Sequence, residues 1–519
     1  MGNGILGRCA WTLAVLGAMV SALGAAPRHV QVFREALIIN EDNSHFFGSR
    51  EPEAMTRTGL EAFVDQYAGT AVTHLFLCPN AMRASFRSQS REAIWDPVEG
   101  RPHSSRWPDN ARLLHERGLD PYAVWIARCR AKGISPWLSM RMNDIHSVNE
   151  TDNFMHSSFW RRHPQFWRVP EGSASPWQNR AMNYAHEAVR THQMAFVREL
   201  LERYDPDGLE LDWMRFGWHL TPGQEAQEGH YLTAFVRDVR AAVKTWAQRR
   251  GHPILLGVRV PAHPEAAARL GMDGVAWACE GLVDVLVPCP FWASSDFDIP
   301  VELWKQRLGS AAASVVVAPG LEHNARPWPG GKPVANTLAS VYGFAASVGA
   351  RQADALYLFN WMDSGTRPVG AESYRQLIEG GLGANVVSRA VRRHPVCYRD
   401  TVPPGFADNV RLPVEGPAGS AFRIHIGPAS TSGRVELIVG LARREGLSDA
   451  TFHAELNGTA AEAADDLDET PGLGGDAARA VRFTCPPMAV RDGYNTVHIQ
   501  QSPGAPAQSL VWVELRIAP

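Results

Sequence analysis

Residues 205–216 read DPDGLELDWMRF, a tight turn feeding a short apolar run that carries Glu210 and Asp212 two positions apart. Paired carboxyls are the equipment of general acid, general base and nucleophilic chemistry. The same pair could instead belong to a buried ion-pair network that only orders a packed strand. Either role needs nearby cations or donors, because an unpartnered buried carboxylate is costly. If the run is a strand, Leu209 and Leu211 face one side while Glu210 and Asp212 face the other, with Asp212 nearer the C-terminal end.

The elements that would position this pair emerge from the alternation along the chain. Eight apolar runs of strand length lie between Glu35 and Trp361: EALIIN, VTHLFLC, ISPWLSMRM, DGLELDWM, PILLGVRV, VDVLVPCP, SVVVAPG and DALYLFNW. Helical patterns separate them. The clearest spans residues 186–205, where Val189, Phe196, Val197, Leu200, Leu201 and Tyr204 recur at three- and four-residue steps. Eight such units predict an α/β chain folded as a (β/α)8 TIM barrel over residues 27–385. An open doubly wound sheet would need a glycine-rich phosphate loop after an early strand, and the sequence has none. From residue 386 to 519 the pattern becomes short alternating strands between Gly, Pro, Asn and Asp turns, which predicts a C-terminal antiparallel β-sandwich. The acidic, glycine-bearing segment 460–479 reads as a mobile loop within it.

In such a barrel the reagents stand at the C-terminal ends of the strands. Those ends are rich in polar groups: Asn40, Glu41 and Asp42 after strand one, and Arg141, Asn143, Asp144 and His146 after strand three. Strand four gives Glu210, Asp212 and Arg215, and strand five gives Arg259. Strand six runs into Trp292 and Asp296, strand seven into Glu322, His323 and Asn324, and strand eight into Asn360 and Trp361. Amides, carboxylates, arginines and indoles converging on one face suit a polyhydroxylated ligand, whose hydroxyls need donors and acceptors and whose rings stack on aromatics. Arg141 and Arg259 are the expected cations for Glu210 and Asp212.

Composition narrows the classes further. A formal charge of -3 gives no electrostatic footprint for nucleic acid, and no segment after the first 26 residues has the length of a membrane span. Residues 1–26 have the layout of a secretory leader: Arg8, an apolar run from Trp11 to Leu23, then Gly24, Ala25 and Ala26. This predicts a secreted or periplasmic protein. The cysteines after it show no metal-ligand spacing, and there is no HxH or HExxH, so neither a metal nor another cofactor is expected. Buried free thiols are the reading for Cys78 and Cys289. Isolated histidines such as His156, His163 and His263 read as packing or hydrogen-bonding residues, whereas His146 could hold a hydroxyl.

The segment WRRHPQFWRVP at 160–170, followed by AMNYAHEAVRTHQMAFVRELLERYDPDGLELDW at 181–213, resembles the glycosyl hydrolase-like 10 families, most clearly from Arg141 to Phe216. Those families resemble the glycosidase barrels of the α-amylase and related superfamilies, where an Asp at the end of strand four is often the nucleophile. The resemblance passes that role to Asp212. The chain departs from the amylase pattern in carrying Glu210 where an Arg is usual. Glycoside hydrolysis needs a second carboxyl. Glu322 is the first choice, since strands four and seven supply the acid pair in another large group of glycosidase barrels, followed by Asp296, then Glu41 and Asp144.

The expectation is therefore an exported glycoside hydrolase acting on a poly- or oligosaccharide. Asp212 would be nucleophile or transition-state stabiliser, Glu322 the general acid, and Glu210 a group that tunes them. Asn40, Arg141, Asn143, Asp144, His146, Arg215, Arg259, Trp292, Asp296, Asn360 and Trp361 would line the sugar site. The rival expectation is a barrel that binds glycan or cell-wall material without cleaving it.

Overall fold

The computed structural model describes residues 27–100, 105–170, 176–291, 294–362, 371–406, 410–429, 432–467, 473 and 476–519. The leader expected over residues 1–26 and the contact expected of Trp292 lie outside the described residues.

All eight runs form strands of one parallel sheet: β1 (Ala36–Glu41), β2 (Val72–Leu77), β3 (Ser135–Arg141), β4 (Gly208–Asp212), β5 (Leu255–Pro261), β6 (Val285–Cys289), β7 in two pieces (Val316–Val317 and Gly320–Glu322) and β8 (Ala355–Phe359). From β1 to β6 each strand pairs with the next. Val316–Val317 extends the sheet from β6, Gly320–Glu322 pairs with β8, and β8 returns to β1, completing the ring. The break in β7 falls at Pro319, which has no N–H to offer the ladder.

The outward faces of the strands pack on the helices. Leu209 and Leu211 share a core with Val197, Leu200 and Leu201 of the helix Glu187–Arg203, as the three- and four-residue spacing predicts. The interior is layered along the barrel axis. Its lower part is apolar: Trp137 stacks on Phe76 at 4.5 Å, and Phe33, just after the short helix Arg28–Val32, closes the bottom edge-on to Trp137. Trp137 fits because its neighbour in register is Gly208; a Cβ there would stand 2.4 Å from the indole ring. One pleat higher on the same strands the interior carries Ser139 and Glu210, and one pleat above that Arg141, Asp212 and Arg259. The polarity of the barrel thus rises toward its C-terminal end.

The C-terminal unit is antiparallel. Arg392–Pro395, Ser509–Ala518, Arg434–Ala442 and Ala477–Cys485 form one leaf, and Ser420–His425, Tyr494–Gln501 and Phe452–Leu456 the other. Leu437, Val439 and Leu515 of the first meet Ile424, Val497 and Ile499 of the second in a common core. The leaves are not separate sheets: Thr459–Ala463 pairs with Phe452–Leu456 on one side and Ala477–Cys485 on the other, so a single sheet curls on itself. This corrects the reading of residues 460–479 as a loop, both ends of which are strand. Small alanines paired across the ladder carry those ends, and their weak apolar signal hid them.

The two units pack closely. The helix Leu338–Ala350 lies on Arg392–Pro395, and a Cβ on Gly343 would stand 2.1 Å from the carbonyl oxygen of Arg393. The six described cysteines are all free, with Cys78, Cys129, Cys289 and Cys485 buried. Among the described residues no helix is long and apolar enough to cross a membrane.

Candidate active site

The polar layer begins with Glu210, whose side chain is 0% exposed. Its Oε2 accepts hydrogen bonds from Ser139 Oγ at 2.5 Å and Tyr357 Oη at 2.9 Å, while Oε1 has no partner among the described residues. Asn40 holds the two donors in place, donating to Ser139 Oγ at 3.1 Å and Tyr357 Oη at 2.7 Å. Among the described residues no cation is bonded to this carboxyl. Burial, reinforced by the charge of Asp212, raises its pKa from the ordinary carboxylate range to about 8, which favours the protonated form.

Asp212, one pleat higher and 1% exposed, has the opposite company. Arg259 Nη1 donates to both of its oxygens, at 3.1 and 2.9 Å, and the Met214 amide donates to Oδ1 at 3.0 Å. Arg259 is itself fixed on all sides. It stacks on Phe359 at 3.6 Å, donates to Cys289 Sγ at 2.9 Å, and reaches the carbonyls of Pro290 and Phe291 at 3.3 and 3.2 Å. Burial works against this cation, but Asp212 together with Cys289 and Tyr357 reverses it and raises the pKa. The Arg259 contact is therefore as expected from the sequence. Arg141 is not: it stands in register with Asp212 yet turns to Asp42 at 2.6 Å and Asp144 at 2.7 Å.

Those two pairs make a second cluster. Asp144 also accepts from the His146 ring at 2.8 Å, and Arg215 lies 3.4 Å from Asp42. Burial alone would push both carboxyls up; the positive groups around them reverse this, Arg141 and Arg215 at Asp42, His146 and Arg141 at Asp144, and hold both well below the usual range. Arg215 is only 3% exposed, and its Nε and Nη1 have no partner among the described residues. Burial lowers its pKa, and it lies over the Phe359 ring at 5.0 Å.

Glu322, at the end of β7, completes the ring of acids and is 2% exposed. Asn360 Nδ2 donates to its two oxygens at 3.2 and 3.1 Å, and the His323 amide and ring nitrogen hold Oε1. Asn360 follows β8 at φ 61°, a left-handed conformation that Asn tolerates better than most side chains, and its Oδ1 is left without a partner among the described residues. Arg215 feels the charge of Glu322 as well as that of Asp42. Strands β1, β3, β4, β5, β7 and β8 thus deliver one connected set of polar groups.

The remaining expected residues fall elsewhere or are occupied. Asn143 spends its amide on the carbonyls of Met182 and Trp218, both at 2.8 Å, and on the Met182 N–H at 2.9 Å, which ties loops together. His146 is half-buried, edge-on to Phe216 at 4.7 Å. Asp296 lies at the junction with the C-terminal unit, paired with Arg399 at 2.7 Å. Trp361 is fully buried and offers no open ring face. Sequence reasoning missed Ser139 and Tyr357 as partners of Glu210. Parity would have found them, since Tyr357 alternates inward with Phe359 just as Ser139 does with Arg141.

No known protein family and no curated protein match this sequence. Among solved structures the fold overlaps glycoside hydrolase barrels. It matches an alpha-L-fucosidase isoenzyme 2 from Paenibacillus thiaminolyticus at 12% identity and TM-score 0.44, covering 69% of this chain and 51% of that one. The glycoside hydrolase domain of PgaB (BpsB) from Bordetella bronchiseptica aligns at 13% identity and TM-score 0.40, over 67% and 99% of the two chains. A GH36 alpha-galactosidase from Geobacillus stearothermophilus aligns at 14% and 0.37, over 92% and 57%. The chain thus spans about half the length of the fucosidase and of the galactosidase. Overlaps this loose assign no residue a role, and the functional reading rests on the site itself.

Proposed function

We propose that the protein is a carbohydrate-active enzyme, a glycoside hydrolase whose reacting groups are Asp212 and Glu322 at the C-terminal end of the barrel. One observation carries this reading: strands β4 and β7 deliver two carboxyls into one polar mouth with unlike partners. Asp212 faces a guanidinium; among the described residues Glu322 has only amide and imidazole hydrogen-bond partners. A pair so differentiated suits one group that meets developing positive charge at the sugar and another that handles the leaving group's proton. Glu210 below them, pushed toward its protonated form, would spare Asp212 a second negative charge one pleat away. The unpartnered nitrogens of Arg215 and the unpartnered oxygen of Asn360 supply donors and an acceptor for sugar hydroxyls. The layout of residues 1–26 adds export to this reading, and secretion of a reporter fused to that segment tests it.

The rival, a barrel that binds glycan without cleaving it, is favoured by one feature: all three carboxyls are at most 2% exposed. A panel of aryl glycosides and polysaccharides decides between the two. Hydrolysis lost in Glu322→Gln supports the enzyme; glycan binding with no hydrolysis by the wild-type chain supports the rival.

A further inference from the structure

A cavity of about 720 Å³ opens where the C-terminal ends of β5 and β6 meet the C-terminal unit. The barrel lines it with His263, Arg269 and Asp296, and the chain beyond with Arg399, Arg411 and Arg423. Its volume is that of an ordinary ligand site.

Among the described residues the charges in this cavity do not cancel. Each carboxylate on its wall is already matched: Asp296 by Arg399 at 2.7 Å, Asp298 by Arg351 from outside the cavity, and Glu265 by Arg307, also from outside, at 2.5 Å. Among the described residues Arg269 and Arg411 meet no carboxylate; the one partner of Arg269 is the Pro404 carbonyl at 3.4 Å. Arg423 lies over the Tyr494 ring at 4.1 Å and stands 3.8 Å from an Asp298 already engaged by Arg351 and by the Tyr494 hydroxyl. Guanidiniums facing an open cavity without counter-charge select anionic oxygens, and Arg is the side chain that grips carboxylate and sulfate bidentately.

Hydrogen bonds tie the wall of the cavity to the end of the barrel. The Phe291 amide donates to Asp400 at 2.7 Å, next to Arg399, while the Phe291 carbonyl accepts from Arg259, the partner of Asp212. We propose that this junction binds an acidic saccharide, one carrying carboxylate or sulfate groups, through Arg269, Arg411 and Arg423. The proposal rests on the carbohydrate reading of the barrel and gives the C-terminal unit a share in holding the polymer.

Titrations at low salt with polygalacturonate, dextran sulfate and neutral dextran test it, using the wild-type chain and the double variant R269Q/R411Q. Both arginines are exposed, so the double variant keeps the fold. An acidic polymer is expected to bind and dextran not, with binding weakened roughly tenfold or more in the double variant. The carboxylated and sulfated arms tell which anion is preferred. Equal binding by the double variant, or binding of neither acidic polymer, overturns the proposal. Turnover by a chain whose acidic-polymer binding ignores the arginines sinks the junction site and leaves the hydrolase standing. Arginine-dependent binding by a chain that hydrolyses nothing does the reverse.

Discussion

Glu210 in the barrel and Glu514 in the C-terminal unit are both 0% exposed, yet the protein treats them in opposite ways. Glu514 receives the Arg393 guanidinium at 2.8 to 3.2 Å, the Arg516 Nε and the Trp512 indole N–H at 3.1 Å. Burial would raise its pKa, but Arg393 and Arg516 more than reverse that and lower it. Glu210 receives two hydroxyls and no cation, and its pKa rises. Burial is common to both, so the neighbours decide the charge. Supplied with cations, Glu514 is held in its charged form; left with neutral donors beside another carboxylate, Glu210 is pushed toward its protonated form.

The sharpest break of that contrast is Asp212→Asn. If Asp212 reacts, turnover on a cleaved glycoside should fall roughly ten-thousandfold. The change also leaves Arg259 facing an uncharged amide, so denaturant unfolding should register a loss of about 3 kcal/mol. Glu322→Gln is the cleaner probe because among the described residues no guanidinium is bonded to it: a drop of roughly a thousandfold in kcat is expected with an unchanged Tm. A variant with full activity would remove Glu322 from the chemistry. Next comes Glu514→Ala, which strands Arg393 and Arg516 and should cost about 3 kcal/mol in urea unfolding while kcat stays at the wild-type value.

The smallest effect is the most diagnostic of the contrast. Glu210 binds its proton more tightly folded than unfolded, so its contribution to stability is complete below the ordinary Glu value of 4.5 and fades as pH rises through the elevated one. Glu514 runs the other way: its contribution is present above 4.5 and fades as pH falls through the lowered value. Glu210→Gln, close in shape to the protonated acid, should remove the decline in stability between pH 4.5 and the elevated value, and so leave the variant more stable than the wild type at neutral pH, as urea unfolding across that range would show. An unaltered pH slope would mean that Glu210 is ionised in the fold.

Much of this was legible in the sequence. Eight apolar runs became eight barrel strands because each is buried on both faces, which writes itself as nearly continuous hydrophobicity. The parity of Leu209, Glu210, Leu211 and Asp212 put both acids inside for the same reason. The short strands Arg392–Pro395, Val414–Glu415 and Thr459–Ala463 were not legible, because their pairing is decided by partners far along the chain. Nor was the diversion of Arg141 to Asp42 and Asp144, since a long side chain chooses among carboxyls that only the closed barrel brings within reach.

The sequence by itself determined the kinds of residue that stand at the strand ends and the face each one occupies, because a two-residue pleat period leaves no other choice. The tertiary structure alone decided their company: a guanidinium for Asp212, hydroxyls for Glu210, an amide and an imidazole for Glu322. Charge in a buried site depends on atoms within a few ångströms, and most of those atoms come from other strands or strand ends, 38 to 147 residues away along the chain.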